Sequence, residues 1–293
     1  MNKCFFWVSA ISLILSFTNC TTTNESNEPA DDSKLVSKVP NEQIQRSFEN
    51  KYGDIQNVNW STQGNDYYIA DFILDSLPAT AWFDQEGEWV LGKVGTSSKD
   101  VESLVAKTLQ QTDYSDWNID NANILERKGL GKVYLLDVIQ NNEKSKLYFT
   151  RYGDFIKAIS DAGHIDMPVN IPDQLHQTIN QLFNNPEIVD ITEHDEWMTE
   201  INVGILDNSA YKIAALDSSY EWLSTFWDLD KNTVPAIVWE GFLSSEYVQY
   251  ELIAIKAMQD ADKLSYIFYV EDSEKKEYIL SFDTNGVLHS VIS

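Results

Sequence analysis

The chain has 293 residues, 43% of them hydrophobic and 12% aromatic, which is enough apolar content for one large or two medium globular domains. Its net charge of −25 repels phosphate backbones; nucleic acid is excluded as an expected partner and an electrostatic hold on anionic lipid is disfavoured. Cysteine occurs only as Cys4 and Cys20, so burial rather than disulfides must hold the folded part together.

The first element in chain order is "MNKCFFWVSAISLILSFTNC", a lysine followed by an apolar run from Cys4 to Phe17 and then small polar residues. The run is shorter than the roughly 20 residues a membrane-spanning helix needs, and it reads as a secretory signal peptide over residues 1–19. Cys20 follows directly and resembles the acylation site of bacterial lipoproteins, although Phe17 and Asn19 depart from the Leu and the small residue usual there. The expectation is an exported bacterial lipoprotein, periplasmic or outer-membrane-associated, that meets the membrane only through a lipid at Cys20. Plain secretion and an uncleaved anchor are the alternatives. Residues 20–38 are polar and acidic and read as a flexible tether.

Beyond the tether the pattern repeats. Four short hairpins, "TAWFDQEGEWV", "KLYFTRYGDFI", "IAALDSSYEWL" and "ILSFDTNGVLH", place Gly87, Gly153, Tyr220 and Gly286 at one turn position, 66, 67 and 66 residues apart. A fixed period marks a repeated supersecondary unit. Glycine suits such a turn because it accepts positive φ, so Tyr220 predicts a different turn shape in the third hairpin. Each hairpin is preceded by a helical stripe: Ile44, Phe48 and Tyr52; Val101, Leu104, Val105 and Leu109; Leu175, Ile179, Leu182 and Phe183; and a fourth interrupted by Gly241. Pro40, Pro172 and Pro235 introduce three of them, in keeping with proline in a first helical turn, and Ser97 with Asp100 is spaced as a capping box for the other. Strand-like runs such as "DYYIADFIL", "KVYLLDVIQ" and "LSYIFYVED" fill the rest of each unit.

The fold class expected is therefore α+β, with four tandem units of one helix plus a four-stranded antiparallel meander, over about 39–96, 97–162, 169–230 and 231–293. A unit of this size is marginal alone, so pairing is expected. The Gly and Pro punctuation of "DAGHIDMPVN" reads as a linker between a first domain over 39–162 and a second over 169–293. The first unit, through Pro40, Phe48, Val58, Trp60, Phe72, Phe83, Asp84, Gly87 and Trp89, resembles the PepSY-like family of bacterial envelope proteins, whose fold is similar to the β-lactamase inhibitor protein. The third unit keeps Pro172, Phe183, Asp217 and Trp222, with Trp197 near the Trp60 step; the other two match mainly through Gly153 and Gly286. The resemblance implies a fold of paired units and an envelope location, and its motif is structural rather than chemical.

No residue pattern announces a reaction. There is no G-x-S-x-G elbow, phosphate loop or dinucleotide fingerprint, and His164, His176, His194 and His289 show no zinc-binding spacing. "DLDKNTVPAIVWE" starts like a calcium loop at Asp228, Asp230 and Asn232 but carries Thr233 and Trp239 at the sixth and twelfth positions, where Gly and Glu are needed. No cofactor, metal or catalytic residue is expected. What stands out is surface: nine tryptophans, with Trp82, Trp89, Tyr220 and Trp222 the candidate partner-binding aromatics, unless the core claims them. The leading expectation is a non-enzymatic envelope lipoprotein that binds or inhibits a protein or peptide, a basic one fitting its charge. A small-molecule or glycan-binding lipoprotein using the same aromatics is the alternative, and a structural envelope protein the third.

Overall fold

A computed structural model describes residues 36–37, 39–64, 66–160, 164, 166–194 and 200–293. The expected signal peptide over residues 1–19, Cys20, most of the expected tether and Trp197 lie outside the described residues. Two residues of the stretch read as a flexible tether form a strand instead: β1 (Val36–Ser37) pairs antiparallel with β2 (Asn59–Gln63), Val36 opposite Thr62.

Helix α1 (Glu42–Tyr52) starts where the Asn41 side chain accepts the Ile44 amide at 3.0 Å, and it ends at Gly53. After it come β2, β3 (Tyr67–Leu74), β4 (Leu77–Phe83) and β5 (Trp89–Gly95). Helix α2 (Ser98–Leu109) precedes β6 (Asn118–Arg127), β7 (Val133–Gln140), β8 (Glu143–Thr150) and β9 (Phe155–Ile159). Then follow α3 (Asp173–Leu182) with β10 (Glu187–His194), β11 (Glu200–Asp207), β12 (Ala210–Leu216) and β13 (Trp222–Asp228). Last come α4 (Ala236–Leu243) with β14 (Glu251–Asp260), β15 (Leu264–Glu271), β16 (Glu277–Phe282) and β17 (Leu288–Ile292). Among the described residues the strands form two antiparallel sheets in simple sequence order, one from β1 to β9 and one from β10 to β17. Pairing runs without a break through β5–β6 (Leu91 opposite Arg127) and β13–β14 (Phe226 opposite Met258), so each sheet is continuous across two helices.

Two details of the helix starts differ from the sequence expectation. Pro172 and Pro235 occupy the cap position with extended ψ, one step before the first turn, because a capping residue is not yet helical. Ser97 holds the predicted N-cap position but makes no side-chain cap bond, so the capping box with Asp100 does not form.

The four hairpins share one hydrogen-bond pattern. The amides of Gly87, Gly153, Tyr220 and Gly286 donate to the carbonyls of Asp84, Thr150, Asp217 and Asp283, and those four residues donate in turn to residues 88, 154, 221 and 287. The side chain at the first position accepts backbone amides in every case, for example Val287 to Asp283 Oδ1 at 3.0 Å and Glu221 to Asp217 Oδ1 at 2.9 Å. Tyr220 is a correction to the sequence reading. It takes φ of 59°, beside 80°, 91° and 76° at the three glycines, so the third turn has the same shape. Aspartate side-chain bonds and packing against the α3 cluster hold a tyrosine where its Cβ is strained.

The glycines also serve close approach. A Cβ on Gly153 would overlap the Leu104 carbonyl oxygen of α2, and one on Gly286 the Ile237 carbonyl oxygen of α4. Gly241, which interrupts the fourth helical pattern, lies inside α4 because that is where the helix meets the Gly286 turn; a Cβ on either glycine would overlap backbone atoms of the neighbouring element.

Each helix buries its stripe against one sheet face. Ile44 and Phe48 pack with Phe72 and Phe83, Val101 and Val105 with Leu136 and Phe149, Leu175 and Ile179 with Val203 and Leu216, and Val238 and Phe242 with Phe268 and Phe282. Register shifts next to each hairpin, between Trp82 and Phe83, Tyr148 and Phe149, Ala215 and Leu216, and Ser281 and Phe282, are bulges that re-aim the following side chains.

Candidate functional site

The four aromatics singled out from the sequence are not brought together. Trp82 lies opposite Leu91, on the face away from the helices, and is 5% exposed. Trp89 pairs with Phe83 on the helix face, donates Nε1–H to the Tyr52 hydroxyl at 2.9 Å, and has the Lys51 ammonium 3.7 Å from its ring centre. Burial pushes Tyr52 up to about 12. Trp222, opposite Leu216 and half-buried on the α3 cluster, donates to Thr225 Oγ1 at 3.0 Å, while the Tyr220 carbonyl accepts from Thr178 of α3. The bulge at Leu223 puts Trp222 and Phe226 on opposite faces, although plain alternation places them together. Trp82 is core, and the other three show only part of their rings.

The back of the first sheet is filled. Ile69, Trp82, Leu91, Leu125, Leu135 and Tyr148 form one cluster with Val189 and Leu206 of the second sheet. The Tyr148 hydroxyl donates to Asp166 Oδ1 at 2.7 Å, and Gln63 Nε2 reaches Met167 Sδ at 3.3 Å. Consecutive linker residues thus tie β8 and β2, at opposite ends of the sheet, from the same side. Burial, with Asp166 alongside, drives the Tyr148 hydroxyl well above the usual tyrosine range. An ionic knot fastens the two sheets: Asp190, 5% exposed, accepts from Lys157 Nζ at 2.9 Å and Thr192 Oγ1 at 3.1 Å, with Arg127 at 3.8 Å.

The back of the second sheet differs from β13 to β17. Direct cross-strand partners share a face, so Phe226, Met258, Ile267, Tyr269, Ile279 and Ile292 lie on the side away from α4. All six are half-buried and none belongs to a core cluster. Lys256 and Asp228 form a 2.8 Å ion pair within this face, and burial raises the Tyr269 hydroxyl. Five strands about 4.8 Å apart give a face roughly 20 Å across, flat and wide enough for a helix or a hairpin.

A cleft of about 660 Å³ opens where the β6–β7 and β8–β9 turns meet the α3–β10 loop and the β11–β12 turn. Its floor is Leu130, Ile188 and Leu206, and polar side chains, four of them asparagine, form its walls.

The acidic loop read against calcium is otherwise engaged. Asp230 accepts from the Asn232 amide at 3.0 Å, capping a short 3-10 turn, and Asp228 pairs with Lys256. Among the described residues no group of three or more His, Cys, Asp or Glu is placed to hold a metal ion. Of the histidines, His176 contacts Asn180 and His289 contacts Asp283, while the His194 side chain lies outside the described residues.

No family model matches the chain, and no curated protein matches it. Solved structures similar to it include a BLIP-like protein from Bacteroides fragilis NCTC 9343, 24% identical, the match covering 45% of this chain and 94% of that one with a TM-score of 0.40. A DUF2874 family protein from Bacteroides ovatus ATCC 8483 is 25% identical over 44% of this chain and 93% of its own, TM-score 0.40. Another from Bacteroides uniformis ATCC 8492 is 23% identical over 41% and 89%, TM-score 0.38.

Proposed function

We propose that this chain is a non-enzymatic binding module of the bacterial envelope that docks a polypeptide partner on the open back of its second sheet. The observation that carries the reading is the row of Phe226, Met258, Ile267, Tyr269, Ile279 and Ile292, six apolar side chains on one sheet face outside every core cluster. Contiguous apolar surface of this kind marks interaction sites on soluble proteins. Its surroundings are acidic: from Trp222 to Ser293 the chain carries twelve Asp and Glu against five Lys and no Arg, so the partner is basic. Export by the 1–19 signal peptide, acylation at Cys20 and a periplasmic setting complete the proposal. So does a fold of four helix-plus-four-strand units paired into two domains, supported by the four like turns. Half-buried Trp89, Tyr220 and Trp222 lie outside the open face and are left as secondary contacts.

The test is capture from a bacterial envelope extract at low and high salt. The native chain is compared with a Tyr269→Ala, Ile279→Ser form that circular dichroism shows to be folded. A protein held by the native chain, released by salt and lost by the variant supports the reading; equal retention by both forms, or none by either, overturns it.

A further inference from the structure

We propose that the cleft between the two halves of the chain is a second site, one that takes a neutral saccharide. It shares no residue with the open sheet face, and its chemistry is of another kind. Leu130, Ile188 and Leu206 close its base from the core clusters behind it, each only 3–8% exposed, so they shape the floor while contacts to a ligand fall to the polar rim. Asn180, Asn184, Asn185, Asn208 and Ser209 stand around that floor, and amides and hydroxyls both donate and accept, as a ring of sugar hydroxyls requires. Asn180 Nδ2 contacts His176 Nδ1 at 2.8 Å and Asn208 Nδ2 donates to Asp207 Oδ1 at 3.0 Å, which leaves their amide oxygens for a ligand, and the side chains of Asn184 and Asn185 make no hydrogen bond among the described residues.

Charge argues for neutrality. Arg151 and Glu187, the Lys, Arg, Asp and Glu side chains that line the cleft, face each other at 2.7 Å and cancel. In a chain of net charge −25 this is an uncharged pocket, poor for an anion and without a free carboxylate for a cation. Beside it Tyr152, 46% exposed, has its ring next to the Arg151 guanidinium at 5.0 Å, an aromatic plate against which a second sugar ring can stack.

The cleft is also built in advance of a ligand. The Gly131 amide donates to the Ile188 carbonyl at 2.6 Å, joining the two halves along one wall, and a Cβ on Gly131 would overlap the Glu187 carboxylate. Asn185, Asn208 and Ser209 hold positive φ of 56°, 51° and 70° within the α3–β10 loop and the β11–β12 turn, which fixes the direction of their side chains. At about 660 Å³ the volume lies in the range of small-ligand clefts, roughly 300–1,000 Å³.

The experiment is a calorimetric titration of the whole purified chain with maltotriose, cellotriose and chitotriose, and with trigalacturonate and spermine as charged counterparts. Two variants accompany it: Asn180→Ala on the exposed side of α3, and Asn208→Gly, which keeps the positive φ. The expected result is binding of at least one neutral trisaccharide, weakened about 10-fold or more by either variant, which is about 1.4 kcal/mol, and unchanged by Tyr269→Ala. No neutral trisaccharide bound up to about 10 mM, preference for a charged probe, or affinity untouched by both variants would overturn the proposal.

Discussion

The two sheets are built alike and finished differently. Both carry helices on one face, and both continue across two four-strand stretches. The back of the first is closed by the linker and by β10–β12 of the second, with Trp82 and Tyr148 inside. The back of the second is closed over that contact, whereas from β13 to β17 side chains such as Ile267 and Tyr269 are only half-buried and belong to no core cluster. The difference teaches that an apolar second face does not by itself mark a binding surface. In one half it is the means by which the chain folds onto itself, and only in the other is it left over.

Substitutions that separate the two faces sharpen this contrast. Trp82→Ala should lower unfolding free energy by about 3–5 kcal/mol, as for large aromatics removed from a core, whereas Tyr269→Ala should change it by about 1 kcal/mol or less. Urea titration followed by circular dichroism measures both, and equal losses would mean that the second face is covered too. Asp190→Ala leaves Lys157 and Arg127 facing each other without their carboxylate. It should cost about 3 kcal/mol and admit solvent to Trp82, seen as a red shift in tryptophan fluorescence. A stable variant with unshifted emission would show that apolar packing alone closes the first sheet.

A smaller effect distinguishes the hairpins of the two halves. Gly87 and Gly286 have nearly the same φ, 80° and 76°, so an alanine at either carries a similar backbone strain of about 1 kcal/mol. At Gly87 the new Cβ meets the movable Gln43 side chain at 3.3 Å, but at Gly286 it meets the backbone of α4. Gly286→Ala should therefore have the lower melting temperature, and equal melting temperatures would show that α4 yields. Last comes pH. The His289 contact and the Val287 and Asn285 amides hold the Asp283 carboxyl at about 2, below its ordinary 3.8. Its folded value is depressed, so its contribution is complete above pH 3.8 and disappears as pH falls toward 2. Melting temperatures taken through that window should fall less for Asp283→Asn than for the native chain.

Much of the architecture was legible in the sequence because it is written in local signals. The turn spacing, the helical stripes and the alternation of "LSYIFYVED" each depend on a few neighbouring residues. The turn around Tyr220 was misread because a glycine preference was taken as a requirement, when Asp217 can impose the same turn on a tyrosine through the Ser219 and Glu221 amides. The faces were less legible still. One bulge at Leu223 reverses the side on which Phe226 falls, and nothing in "EWLSTFW" marks it. The cleft could not be found at all by local reading, since Arg151 and Asn208 come from two separate turns and Asn180 from α3, and only tertiary packing brings them together. A cluster of asparagines around residues 180–185 and 208 was its one trace in the sequence.

The meeting of Gly241 and Gly286 has a consequence for how this chain can vary. When a large side chain presses on another, a mutation in one can be answered by a smaller residue at the other. Here both partners are already the smallest residue there is, and the atoms they approach belong to the main chain. No second substitution restores the fit after the first. The pair is a fixed point around which the loops and surfaces of the fourth helix and its hairpin can drift while the contact itself stays unaltered.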